Sequence, residues 1–393
     1  MAKKTPQKED KKQPVAETPS ADGEVLRQPA EVQYADQLEA LRQNDADTLP
    51  SSWRLSPRAV LTYILGGKTL KANLDGRTAE VTITRKFFGD EALVERAIVT
   101  LASERALLLV GEPGTGKSWL SEHLAAAVSG NSTLTIQGTA GTTEEHIKYS
   151  WNVARVIAEG PRPDNLIPSP TMVAMRAGAV LRFEEITRCV PDVQDALVSI
   201  LSEKAIAIPE LPEANMVFAR PGFNVIATAN TRDQGVNELS AALKRRFNYI
   251  HIPIVADQKT EIQIVQQRSA ELLDRYKLPL RITPPVIQLL ATVFREIRNG
   301  KTADGVSLKQ PSTTLSTAEA IGVALDAALD ARFFGSGKVE PADIARNMIG
   351  SIVKEDLNDL AVLKEYVVLV AKKRAAQDQT WKGFHDAMLS TLK

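Results

Sequence analysis

The sequence is short of cysteine, of net charge and of long apolar runs, and each shortage removes a class of function. Cys189 is the single thiol, so an internal disulfide framework is excluded. The 48 Lys and Arg residues cancel the 48 Asp and Glu, leaving no global basic field to hold nucleic acid or an anionic membrane surface. No window approaches the roughly 18 consecutive apolar residues that a spanning helix requires. The start, MAKKTPQKEDKKQ, lacks the apolar core that follows a charged start in a secretion signal. The four histidines, His123, His146, His251 and His385, have no metal-ligand spacing, and no zinc is expected. These gaps predict a cytoplasmic protein that does not enter a membrane and for which nucleic acid is a disfavoured partner.

What is present divides along the chain. At 393 residues there is room for two or three domains, since single cores rarely grow beyond about 250–300 residues. Residues 1–50 are rich in Lys, Gln, Glu, Asp, Ala and Pro and cannot bury enough apolar surface to offset chain entropy. They are expected to be a disordered tail, with a short helix near Tyr34–Arg42. Residues 51–85 read as an N-terminal extension, in which KTLKANLDGRTAEVTIT alternates around an Asp75-Gly76 hairpin signal. From 86 to 252, apolar runs at 106–110, 134–138, 179–183, 224–230 and 249–254 alternate with amphipathic helices. That order predicts an α/β domain with a parallel five-stranded sheet covered on both faces. From 253 to 393 only helical patterns remain, which predicts an all-helical lid and C-terminal domain.

The chemistry is carried by LLLVGEPGTGKSWLSEHLAAAV. It sets Gly111, Glu112, Pro113, Gly114, Thr115, Gly116, Lys117 and Ser118, followed by Trp119, directly after a strand and at the start of a helix. Glycines let the backbone curl so that successive N–H groups face one centre, and the helix N-terminus adds its positive end to the same point. Such a cradle binds phosphate. Lys117 can reach the β- and γ-phosphates, and the Ser118 hydroxyl can ligate Mg²⁺. The strand AVLRF then runs into Glu184 and Glu185. By position Glu184 is the metal-side acid, acting through water, and Glu185 is the candidate to orient and deprotonate the hydrolytic water.

The order GEPGTGKS, FEEITR, ATAN, LSAALKRRF resembles a P-loop NTPase core of AAA+ type, and in wording the MoxR family, over roughly 86–252. The resemblance implies ATP as the nucleotide, Asn230 as the sensor that holds water against the γ-phosphate, and Arg245 or Arg246, with Arg246 favoured, reaching a neighbouring subunit's nucleotide. It further implies a homo-oligomeric, hexameric ring, a chaperone-like role in maturing a complex, and a partner with a von Willebrand factor A domain. Two stretches resemble inserts of the group that joins MoxR, magnesium chelatase and McrB. One is the forty residues between LTIQG and the acidic strand, holding Tyr149 and Trp151; the other is a hairpin in KAIAIPELPEANMVFARPG. The chain departs from the family in having Glu184 where Asp is usual, and in offering no lid arginine near KQPSTTLSTAEA, where Lys309 is the nearest cation. Two alternatives stand beside the remodelling ATPase: an NTP-driven DNA-translocating subunit of McrB type, and a nucleotide-bound structural protein with feeble turnover.

Overall fold

A strand without polar side chains, such as Ala106–Gly111, needs cover on both faces, and the elements packed on the sheet provide it. In this computed structural model, which describes residues 25–211, 215–231, 237–354, 356 and 358–392, five strands form one parallel sheet. They are β1 (Ala106–Gly111), β2 (Thr135–Gln137), β3 (Val180–Glu184), β4 (Asn224–Asn230) and β5 (Phe247–Ile252), in the order β5-β1-β4-β3-β2. All six residues of β1 are buried. Leu107 and Leu109 pack under one face with Leu120 and Leu124 of the helix Lys117–Ser129. Ala106, Leu108 and Val110 pack under the other with Met172, Leu197 and Ile200. The period of two therefore divides one apolar run between two cores, each buried Leu contributing about 1.5–3 kcal/mol.

The register places the strand ends that matter side by side. Asn230 lies opposite Gly111, and Gln137 lies opposite Glu184. Parallel strands point the same way, so the carboxyl ends of β1, β3 and β4 open on one edge, where α/β sheets place their ligands.

The N-terminal region contains the helix expected near Tyr34–Arg42 but departs from the predicted disorder around it. Residues 1–24 lie outside the described residues, but Ala30–Gln33 and Ala35–Asn44 are helices with Ala30, Tyr34, Ala40 and Leu41 buried. Polar composition misleads here because the polar side chains are what tie the segment down. The Gln43 amide donates to Asn73 O (2.9 Å) and accepts from Asn73 N (2.8 Å), while Asn44 donates to Lys71 O (2.9 Å) and Gln37 accepts from Thr84 N (3.0 Å). These acceptors and donors lie on or just after the hairpin Lys68–Leu74 and Arg77–Ile83, whose turn holds Asp75 and Gly76 at positive φ. Ser56 caps the intervening helix Pro57–Leu65 through its hydroxyl.

The helices from Gln258–Arg275 to Gln379–Thr391 build a separate apolar core around Leu290, Phe294, Ala324, Ala328, Met348, Leu363 and Phe384. Two short hairpins leave the α/β part: Tyr149–Trp151 with Leu166–Pro168, and Ala205–Ala207 with Met216–Phe218. Residues 212–214 of the second lie outside the described residues. Tyr149 and Trp151 do not stand free, because both donate to Glu210, at 2.9 and 3.3 Å. Among the described residues, no helix is long and apolar enough to cross a membrane.

Candidate nucleotide-binding site

The loop after β1 is shaped by glycines at the points where a side chain would not fit. Gly114 and Gly116 hold φ of +75° and +86°, a region L side chains rarely adopt. A Cβ on Gly111 would meet Ile252 O at 2.6 Å, and one on Gly114 would meet Ser316 Cβ at 2.2 Å. The second contact shows that the N-cap of the helix Thr317–Phe333 rests on the loop, so the helical region touches the cradle through a serine. Lys309, the cation nearest to that region in sequence, pairs instead with Glu365 at 3.5 Å. Lys117 is buried and donates to Gly111 O (3.0 Å) and Glu112 O (2.7 Å), closing its amine over the loop.

Glu184 ends β3 with hydrogen-bond donors on both of its carboxylate oxygens. Its Oε2 accepts from the hydroxyls of Ser118 (2.7 Å) and Thr228 (2.8 Å), and its Oε1 from Ser121 (2.5 Å) and Arg182 (2.8 Å). Burial pushes its carboxyl up, but the Arg182 charge and the three hydroxyls outweigh this and hold it below the usual carboxylate range. It is therefore an anion at neutral pH, touching the hydroxyl that sequence assigns to a metal.

Glu185 turns the other way. Its backbone sits in the left-handed region, φ 54° and ψ 46°, which costs about 1–2 kcal/mol for a residue with a Cβ. The conformation is fixed from both sides. Its N–H donates to Thr228 Oγ1 at 2.9 Å, and Gly138 packs so closely that a Cβ there would lie 2.4 Å from Glu185 O. The turn carries the Glu185 carboxylate out of the sheet, where it pairs with Arg188.

Asn230 ends β4 beside Gly111, so one edge brings together the loop, Glu184, Glu185 and Asn230. Arg245 and Arg246 stand apart, between the helix Ala241–Lys244 and β5. The Arg246 guanidinium is tied within its own chain to Ser202 and to Ala242 O (2.6 Å), while Arg245 is exposed. Trp119 directs its indole away from the cradle, donating to Lys86 O at 2.9 Å beneath the Arg268 guanidinium.

Four contributors escaped the sequence reading: Arg182, Ser121, Thr228 and Ser316. Arg182 had a visible signal, a charge inside an apolar strand two residues before Glu184 and hence on the same face. Ser121 lies one helical turn after Ser118. Thr228 and Ser316 had none, because their roles depend on strand order and on where the helical region docks. A cavity of about 430 Å³ beside the site is lined by Arg27, Ser118, Trp119, Glu122, Thr135 and Arg182. It includes neither Lys117 nor the glycines of the loop, so it flanks the phosphate cradle.

Comparison with known proteins matches residues 106–247 to a family described as AAA domain (dynein-related subfamily), and residues 259–389 to one described as YehL-like AAA+ ATPase C-terminal domain. The uncharacterized protein YehL of Escherichia coli is 43% identical over 367 residues, covering 92% of this chain and 97% of that protein. The uncharacterized protein YojN of Bacillus subtilis is 28% identical over 197 residues, 48% of this chain and 61% of that one. The gas vesicle ATPase GvpN of Haloferax mediterranei is 28% identical over 177 residues, 41% of this chain and 50% of that one.

Proposed function

Because the chain belongs to the YehL-like AAA+ ATPases, we propose that it hydrolyses ATP at the crevice formed by 111–118, Glu184, Glu185 and Asn230, and that it uses the cycle to remodel a partner protein. The observation that carries the reading is the 2.7 Å contact between the Ser118 hydroxyl and the anionic Glu184 at the mouth of the loop. One hydroxyl and one carboxylate, all oxygen, make a donor set suited to Mg²⁺, which keeps several waters and takes its other ligands from phosphate. Ser118 would hold the ion directly and Glu184 through water. When bound, Mg²⁺ supplies positive charge to the β- and γ-phosphate oxygens.

The remaining roles fall to this chain's own groups. Lys117 leaves the carbonyls of Gly111 and Glu112 to meet phosphate. Glu185 leaves Arg188 and orients water, accepting its proton. The Asn230 amide offers a donor to phosphate and an acceptor to that water. Arg245, exposed, is better placed than the tethered Arg246 to reach a neighbouring copy in a hexameric ring. The remodelling role, and a partner with a von Willebrand factor A domain, rest on the likeness of the motifs to the MoxR family. Steady-state ATP hydrolysis tests the site. Glu185→Gln should lower turnover by about 100-fold or more, and Lys117→Ala should abolish it. If both variants turn over ATP at the wild-type rate, the assignment is wrong. Capture from the native cell with Glu185→Gln in ATP tests the partner, and recovery of no protein with such a domain would remove that part of the reading.

A further inference from the structure

Arg182 is an unusual occupant of a buried parallel strand, and its contacts leave it no freedom. Its Nε donates to Ser121 Oγ (3.0 Å), one terminal nitrogen to Ser132 O (3.0 Å) and Thr135 Oγ1 (3.5 Å), and the other to Ser118 O (3.2 Å) and Glu184 Oε1 (2.8 Å). A guanidinium has five N–H groups, and all five have acceptors here. Its side chain is 11% exposed and that of Glu184 6%, so the two form a fixed, desolvated ion pair.

The consequence for a divalent ion follows from counting the sites on Glu184. Arg182 and Ser121 occupy Oε1, while Thr228 and Ser118 occupy Oε2. Of the four donors only Ser118 is a candidate metal ligand. When its hydroxyl turns its lone pairs outward, Glu184 still holds two hydroxyl protons and one full positive charge. The carboxylate that should attract the ion is thus already compensated by Arg182, and the pair carries no net charge. At about 6 Å, one unit of charge compensated in this way lowers the affinity for a divalent ion by about tenfold even at the dielectric of bulk water.

We propose that Arg182 is a built-in cation that takes over part of the charge compensation Mg²⁺ would otherwise give this site, so that nucleotide binding depends only weakly on the metal. The proposal rests on the nucleotide-site reading above, and Arg182 acts through Glu184 as a positioning residue.

The test is the affinity of the full chain for a non-hydrolysable ATP analogue, measured by calorimetry in excess Mg²⁺ and again in EDTA. In wild type the two affinities should differ by about tenfold or less. Arg182→Gln removes the charge but keeps amide donors, and should widen that ratio by about tenfold, tightening binding with Mg²⁺ and weakening it without. Arg182→Lys keeps the charge and should stay near the wild-type ratio. A wild-type ratio above about a hundredfold overturns the proposal. So does an unchanged ratio in a folded Arg182→Gln protein, or an Arg182→Lys ratio shifted as far as that of Arg182→Gln. If Arg182→Gln fails to fold, the wild-type ratio and Arg182→Lys decide. Lys117→Ala separates the two levels, since wild-type binding by that variant in both buffers would condemn the site itself rather than the role of Arg182.

Discussion

Lys86 is a buried amine whose charge should be measurable in the stability of the fold. It is 2% exposed, lies 4.5 Å from the ring centroids of both Tyr34 and Tyr63, and donates to Gln37 Oε1 (2.6 Å), Thr84 O (2.7 Å) and Thr84 Oγ1 (3.0 Å). Burial pushes its ammonium down to about 7 from 10.5, with Glu271 opposing and Arg268 assisting. A fall of that size is worth about 5 kcal/mol, and the two ring faces return about 1 kcal/mol each, leaving about 3–5 kcal/mol. The sign follows from proton counting. Between about pH 7 and 10.5 the unfolded chain carries the proton and the folded chain does not, so stability rises with pH across that window. Below it both states are protonated and the whole penalty is felt. In Lys86→Met the penalty is absent at every pH, and the unpaired Gln37 and Thr84 oxygens add an offset that does not titrate. Urea unfolding of both proteins from pH 7 to 10.5, followed by near-ultraviolet circular dichroism, should show wild type gaining about 3–5 kcal/mol on the variant. Tyr34, pushed up to about 12 mainly by burial, stays protonated in the fold across this range and cancels between the two. Two curves that remain parallel within about 1 kcal/mol would mean that burying the Lys86 ammonium carries no such penalty.

Gly114→Ala should weaken nucleotide binding by about tenfold or more, because φ +75° and the 2.2 Å overlap with Ser316 Cβ together press the helical region off the loop. Calorimetry checks it, and Ser316→Gly should recover part of the loss by removing the clashing atom. For the trans arginine, mixing Arg245→Ala protein with Lys117→Ala protein should restore hydrolysis, since some interfaces then pair an intact loop with an intact arginine. If only the Arg246→Ala mixture recovers, the exposed residue is not the one that crosses.

What could be read from the sequence was whatever depends on neighbours along the chain. Continuous apolar runs announced strands covered on both faces, and the glycine spacing before Lys117 announced a phosphate loop, because both are local requirements of geometry. Glu184 was placed at a strand end by the same means. The partners that make it an anion were not, since Ser121, Thr228 and Arg182 meet only once the helix Lys117–Ser129 lies on β3 and β4 pairs beside it. The helix near Tyr34–Arg42 was legible, but its docking onto the fold was not, for a related reason. A 10-residue helix is marginal alone, and the groups that hold Ala35–Asn44 come from the hairpin about thirty residues later.

Other long-range contacts connect the loop 111–118 to the helical region. Trp119 follows Ser118 directly, and its indole donates to Lys86 O, which also accepts from Arg268 at 2.6 Å. Arg268 lies on the helix Gln258–Arg275, stacks over Trp119 at 4.1 Å and pairs with Glu271, while Glu271 accepts from Tyr34 OH at 3.4 Å. The N-terminal segment, the helix Lys117–Ser129 and the helix Gln258–Arg275 thus share one partly buried cluster of rings and charged groups. The helical region thus touches the loop and its helix at two places, through Arg268 stacked on Trp119 and through Ser316 against Gly114.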